Sequence, residues 1–98
     1  MSNRLTIKPV AEGEIDEASR WYETNDPILR DQFVSDVGHA LAAIQENPLQ
    51  YQIVYRNVRR VMLRRFPYSL MYIVSGEDIA VLACMHGRRD PKRWQRRI

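Results

Sequence analysis

The sequence predicts an α+β fold of two layers, a helical hairpin packed on one face of a mainly antiparallel sheet, in the chain order βααβββ. Three observations carry that prediction. Apolar residues recur at helical spacing up to Gln50 and alternate beyond it. Asp26-Pro27 offers a helix start in the middle of the first half, so the helical part divides in two. Gly76-Glu77-Asp78 separates two apolar runs in the manner of a hairpin turn.

Leu5-Thr6-Ile7-Lys8-Pro9-Val10 alternates apolar and polar side chains, as a short half-buried strand does, and Pro9 helps to end it. From Ala11 onward, Ala11, Ile15, Ala18 and Tyr22 share one helical face, with acidic residues early in the segment, where the macrodipole favours them. Asp26 as N-cap and Pro27 at the first helical position then open a second helix from about Ile28 to Gln45, with Leu29, Phe33, Val37, Leu41 and Ile44 as its buried stripe. Gly38 inside it costs roughly 1 kcal/mol relative to Ala, which predicts close packing of the first helix at that point. Asn47-Pro48 ends the helix. Three strands follow, about Val58 to Leu63, Tyr68 to Ser75 and Ile79 to Met85.

A chain of 98 residues has room for one domain, residues 1–98, and buries roughly two-thirds of its unfolded surface. With 45% apolar and 28% charged residues it is a globular composition, which excludes collagen-like, disulfide-framework and wholly disordered classes. Cys84 is the lone cysteine and lies in an apolar run, so it reads as a small buried hydrophobe, and a reducing cytoplasm fits. No Cys/His cluster suggests a metal, and no cofactor is expected. Met1-Ser2-Asn3-Arg4-Leu5 has no basic segment leading into an apolar run, and no stretch reaches the ~18 apolar residues of a membrane span. The expectation is a protein neither exported nor embedded.

Charge is distributed unevenly. Residues 1–51 hold four basic and nine acidic side chains, a net of −5, whereas residues 52–98 hold eleven basic and three acidic ones, a net of +8. Focused positive potential of this kind suits a polyanion or an acidic protein partner and does not distinguish them.

The strands carry a second imbalance. Strict alternation places Tyr68, Leu70, Tyr72 and Val74 on one face of their strand and Met71 and Ile73 on the other, and it sets Val81 and Ala83 opposite Leu82 and Cys84. Both faces are apolar, yet two helices cover only one side of a sheet. The second face therefore needs a cover, either the C-terminal tail, a central sheet position, or a bound partner peptide.

The arginines concentrate at the ends of these strands. Guanidinium groups stay charged and are costly to bury unpaired, so a run of them at strand ends suits an external partner better than a core. Arg88 and Arg89 lead into Asp90-Pro91, an N-cap and first residue for a short terminal helix, and sit among Lys92, Arg93, Arg96 and Arg97. The bland alternative pairs Arg88 or Arg89 with Asp90 or with a helix acid. Arg59 and Arg60 fall on opposite strand faces, so at most one shares a surface with Arg64. Trp94 is expected to pack the terminal turn onto the sheet rather than to stack on a base, and Pro67-Tyr68 to start a strand. His86 at a strand end reads first as a hydrogen-bonded structural residue and second as a general base; His39 should face solvent.

Taken together, Phe66-Pro67-Tyr68 at a strand start, His86-Gly87-Arg88-Arg89-Asp90-Pro91 at a strand end, and Trp94 beyond it resemble the ParE branch of the RelE/ParE toxins. Trp21-Tyr22-Glu23, Phe33, Ile44 and Asn47-Pro48 also fit that family's pattern, so the resemblance extends over nearly the whole chain. It implies the toxin of a bacterial type II toxin–antitoxin pair, held as a hetero-oligomer by an antitoxin whose flexible segment wraps it. An amphipathic segment of that kind would cover apolar area and neutralise arginines together. On this reading Met71, Ile73, Leu82, Cys84, Arg60 and Arg64 are the antitoxin-binding residues.

The family has two activities: ParE-like members poison DNA gyrase without being enzymes, and RelE-like members cut messenger RNA on the ribosome. Cleavage by 2′-hydroxyl attack needs a proton acceptor, a proton donor and cations around the phosphorane. The candidates are His86, Tyr72, Arg64 and Arg88. RelE-like chains often carry a catalytic Tyr or His in the C-terminal tail, and no His or Tyr follows His86 here. The resemblance therefore favours gyrase inhibition, with Arg64, Arg65, Arg88, Arg89, Lys92, Arg93, Trp94, Arg96 and Arg97 as target-binding residues, over an mRNA endoribonuclease or a nonenzymatic nucleic-acid-binding module.

Overall fold

In the computed structural model, which describes residues 3–98, the helical half divides where Asp26-Pro27 predicts. Met1 and Ser2, the start of the stretch read above for a missing leader, lie outside the described residues. Helix α1 spans Pro9–Asn25 and α2 spans Pro27–Glu46. The Asp26 carboxylate accepts from the backbone N–H of Ile28 at 2.9 Å, satisfying one of the donors a helix start leaves open. Helix α1 begins two residues earlier than expected because Pro9 serves as its first helical residue, where a missing N–H costs nothing. Strand β1 (Arg4–Ile7) is correspondingly short.

The remaining strands are β2 (Ile53–Tyr55), β3 (Val58–Met62), β4 (Tyr68–Ser75) and β5 (Asp78–His86), followed by the four-residue helix α3 (Lys92–Gln95). They form one five-stranded sheet in the order β1-β5-β4-β3-β2, with β1 parallel to β5 and every other pairing antiparallel. Strand β2 is absent from the sequence-based expectation. It has only three residues, joined to β3 by the two-residue connection Arg56-Asn57, in which Arg56 sits at φ 51. Glycine is the usual signal for such a backbone, and here an arginine hides it.

Both helices lie on one face of the sheet. Ala11, Ala18, Phe33, Val37, Ala40 and Ile44 meet Val61, Leu63, Leu70, Tyr72, Ile79, Val81 and Cys84 in a continuous buried cluster. Phe33, Tyr22, Phe66 and Tyr68 form its aromatic end, with ring centroids 4.8 to 6.2 Å apart, inside the range of favourable edge-to-face contact. Gly38 departs from expectation. It is exposed, and a Cβ built there meets nothing within 4 Å, so close helix packing does not explain it.

Strict alternation fails in β5. Met71 pairs with Ala83 and the next residue, Tyr72, with Val81, which leaves Leu82 as the extra residue of a β-bulge. The bulge reverses the phase of the strand. Ala83 turns to the second face beside Leu82, and Cys84 turns to the helix side, where it is 3% exposed. Cys84 is thereby removed from the face assigned to the antitoxin.

The second face is closed from within the chain. Trp94, 6% exposed, packs with Val58, Met71, Leu82, Ala83 and Met85, and meets Tyr55 edge to face at 5.7 Å. The C-terminal tail is the cover. Of the remaining residues assigned to an antitoxin on that face, Met71 and Leu82 are buried, Ile73 is half-buried, and Arg60 and Arg64 are exposed.

Candidate functional site

The β3–β4 connection and the segment after β5 come together at one end of the sheet, because Tyr68 pairs with His86 and the Gly87 N–H donates to the Pro67 carbonyl at 2.8 Å. Arg64, Arg65, Arg88 and Arg89 therefore share that end, and all four are exposed. Asp36, itself buried on α2, fixes the β3–β4 connection by accepting from the Arg65 N–H at 2.8 Å. The residues beyond β5 are held as a turn: the Asp90 carboxylate accepts from the Lys92 N–H at 3.0 Å, and the Arg93 N–H donates to the Asp90 carbonyl at 3.0 Å. Asp90 thus caps the terminal turn, as its place before Pro91 predicts.

Five cations stand on this C-terminal arm without an acidic partner among the described residues: Arg88, Arg89, Lys92, Arg93 and Arg96. All five are exposed. Arg60, Arg64 and Arg65 likewise have no acidic partner among the described residues, whereas several other arginines are engaged. Arg4 pairs with Asp78, Arg20 with Asp16, and Arg30 with Glu23 and Asp31. Arg59 donates to the carbonyls of Leu49 and Tyr51 and so pins the approach to β2. Arg97 is engaged too, since its guanidinium forms a bidentate pair with Glu14 at 3.0 and 2.8 Å, which raises its pKa through that hydrogen bonding. Arg97 is a brace rather than a free contact.

A groove of about 760 Å³ opens beside the arm, between α1 and the ends of β4 and β5. Trp21, Tyr68, Ala18 and Met85 give it an apolar lining, with Glu14, Glu17, Arg20, His86, Arg89 and Arg93 as polar and charged lining. Trp21 is 62% exposed, an unusual position for so large an apolar side chain. Arg64, at the same end of the sheet, does not line this groove. It lines a smaller cleft between α2 and β3 with Asp36 and His39.

The residues named for ribonuclease chemistry do not converge. Tyr72 is fully buried on the helix side and donates its hydroxyl proton to the Pro48 carbonyl at 2.6 Å; burial pushes its pKa up to about 12. It stands four residues along β4 from Tyr68, the partner of His86, a separation of roughly 13 Å at strand rise. The Nδ1 of His86 accepts from the Arg88 N–H at 3.0 Å, so the hydrogen-bond network assigns the proton of the neutral ring to Nε2. In that tautomer the ring atom left to face a ligand is a donor, not a base. Burial, aided by the Glu14 charge, also pushes the Cys84 thiol up to about 12, which leaves it un-ionised and inert at neutral pH. Among the described residues no group of His, Cys, Asp and Glu is placed to hold a metal ion.

The sequence pattern of the family described as "ParE toxin of type II toxin-antitoxin system, parDE" matches residues 5–91. The chain belongs to the ParE toxin family. It is 27% identical over 92 residues to Toxin ParE2 of Mycobacterium tuberculosis, in strain CDC 1551 / Oshkosh and in strain ATCC 25618 / H37Rv, which covers 93% of this chain and 88% of each relative. A chain of the solved structure titled "Chromosomal ParDE TA system from P. aeruginosa" superposes with a TM-score of 0.76 at 22% identity, covering 86% of this chain and 95% of that one. The helical hairpin on a mostly antiparallel sheet is thus the ParE fold, and membership implies an antitoxin partner. Among the described residues no helix is long and apolar enough to cross a membrane.

Two features of this groove escape a reading of the sequence. Glu14 looks like one more acidic residue of α1, and Trp21 like part of a family motif; only the fold places both along one groove. Trp21 carries a usable signal, since it falls off the Ala11, Ile15, Ala18 and Tyr22 stripe and so faces away from the helical core.

Proposed function

We propose that this ParE-family toxin inhibits DNA gyrase by docking its basic C-terminal edge on the enzyme or on its DNA complex, and that its antitoxin silences it by occupying the α1–β5 groove. The observation that supports the target is the set of five exposed, acid-free cations on an ordered arm, Arg88, Arg89, Lys92, Arg93 and Arg96. Focused charge of this kind favours fast association with an acidic protein or a polyanion. The burial of Tyr72 and the hydrogen bond to His86 Nδ1 count against the ribonuclease alternative.

Closure of the second face by Trp94 favours the groove for the antitoxin. There a partner segment would cover Trp21 and Tyr68 while meeting Arg89 and Arg93 with acidic side chains. Action inside the bacterial cytoplasm, as a hetero-oligomer with the antitoxin until release, follows from this reading.

Purified toxin added to gyrase with plasmid, and in parallel to a translating extract, separates the activities. Gyrase poisoning leaves broken or unsupercoiled plasmid and intact messages. Cleaved message beside normally supercoiled plasmid would overturn the proposal in favour of the ribonuclease. Steeply salt-dependent binding to bare DNA or RNA, with gyrase unaffected, would replace it with a nucleic-acid-binding module.

A further inference from the structure

Strand β1 pairs with β5 only as far as Val81, through Ile7 and the Lys8 N–H to the Val81 carbonyl at 2.9 Å. Beyond that point the outer edge of β5 has no neighbouring strand, and its backbone groups need other partners. Two side chains supply them. The Leu82 carbonyl accepts from Arg97 Nη1 at 3.0 Å, and the Cys84 N–H donates to Glu14 Oε1 at 3.1 Å. The same Glu14 carboxylate grips both terminal nitrogens of Arg97, and the two side chains, Arg97 and Glu14, are only 25% and 19% exposed.

We infer that Glu14 is a positioning residue for the C-terminal arm, fixing through Arg97 the direction in which Arg93 and Arg96 project toward the toxin's target. A four-residue helix has no stability of its own and takes its place from its contacts. Trp94 anchors one side of the arm in the second face of the sheet, but a single ring leaves the arm free to pivot about it. The Glu14–Arg97 fork is a second anchor, planar and two-pronged, which removes that pivot. Asp16, a neighbouring acid of α1, does not compete for the role, being paired with Arg20 within the helix. The functional part of the inference rests on the proposed docking of this arm on gyrase; the structural part does not.

The test is a double-mutant cycle of Glu14→Gln and Arg97→Gln in the full-length protein, read by hydrogen exchange and by gyrase inhibition. The amide introduced by Glu14→Gln retains an acceptor for the Cys84 N–H while losing the charge, so the substitution loosens Arg97 selectively. Each single variant should raise exchange across residues 92–98 by about 10- to 100-fold, with β3 to β5 still protected, and should weaken gyrase inhibition about tenfold. The double variant should equal Arg97→Gln alone, because that substitution already removes the Glu14 contact together with the bond to the Leu82 carbonyl. Unchanged exchange in the arm, effects that multiply in the double variant, or equal loosening of the whole sheet would each overturn the positioning role. A wild-type protein that leaves gyrase active would refute the gyrase reading alone, and the exchange cycle would still decide whether Glu14 holds the arm.

Discussion

The two faces of the sheet are closed by very different means. On one, α1 and α2 bury a continuous cluster that includes Phe33, Ile44, Leu70, Tyr72 and Val81. On the other, a single tryptophan on a four-residue helix covers Met71, Leu82 and Met85, held by the Glu14–Arg97 fork. The first arrangement spreads stability over many contacts along two long helices. The second concentrates it in two anchors at the end of the chain, and the five acid-free cations are carried there. The difference teaches that the helix-covered face maintains the fold, whereas the arm that covers the other carries the surface proposed to meet a partner.

Substitutions test that division in order of expected cost. Phe33→Ala, at the centre of the aromatic end, should lower unfolding stability in urea by about 4 kcal/mol, a large share of the ~5–15 kcal/mol typical of a domain. Trp94→Ala should cost no more than about 3 kcal/mol, and hydrogen exchange should rise first in residues 88–98 while β3 to β5 remain protected. Equal cost at the two positions, or uniform loosening after Trp94→Ala, would erase the distinction between the faces.

Alkaline titration probes the helix-covered face. Cys84 is held well above its usual 9.0, at about 12, and Tyr72 is likewise raised to about 12. Between the unfolded and folded values the native state holds more protons, so stability falls as pH rises from about 9 toward 12 and is full below that window. The slope from Cys84 approaches about 1.4 kcal/mol per pH unit, and Cys84→Ala should flatten the first part of the curve. An unaltered curve in Cys84→Ala would break this account of the thiol. A smaller gain comes from Gly38→Ala, which fills open space on an exposed helix position and should raise the urea midpoint by the equivalent of about 1 kcal/mol.

Much of this is legible in the sequence because it depends on local chemistry. Asp26-Pro27 divides the helices, Gly76 at φ 60 makes the β4–β5 turn, Asp90 caps the terminal turn, and Trp94 packs that turn on the sheet. What stays hidden depends on pairing across the fold. The parallel partnership of β1 with β5 and the bulge at Leu82 exist only once strands meet, and the bulge alone moves Cys84 from the second face to the first. The Glu14–Arg97 fork joins residues 83 positions apart. The set read as one basic surface also separates, with Arg97 spent as a brace and Arg64 lining another cleft.

The smallest expected effect on stability goes with the largest on activity. Charge reversal of Arg88, Arg89 and Arg93 to Glu alters exposed side chains with no acidic partner among the described residues, so unfolding stability should move by no more than about 0.5 kcal/mol per site. Assayed against gyrase and supercoiled plasmid beside the wild-type toxin, this triple variant should show no inhibition while melting as a folded protein. Full inhibition by the folded triple variant would contradict the claim that the C-terminal arm is the docking surface.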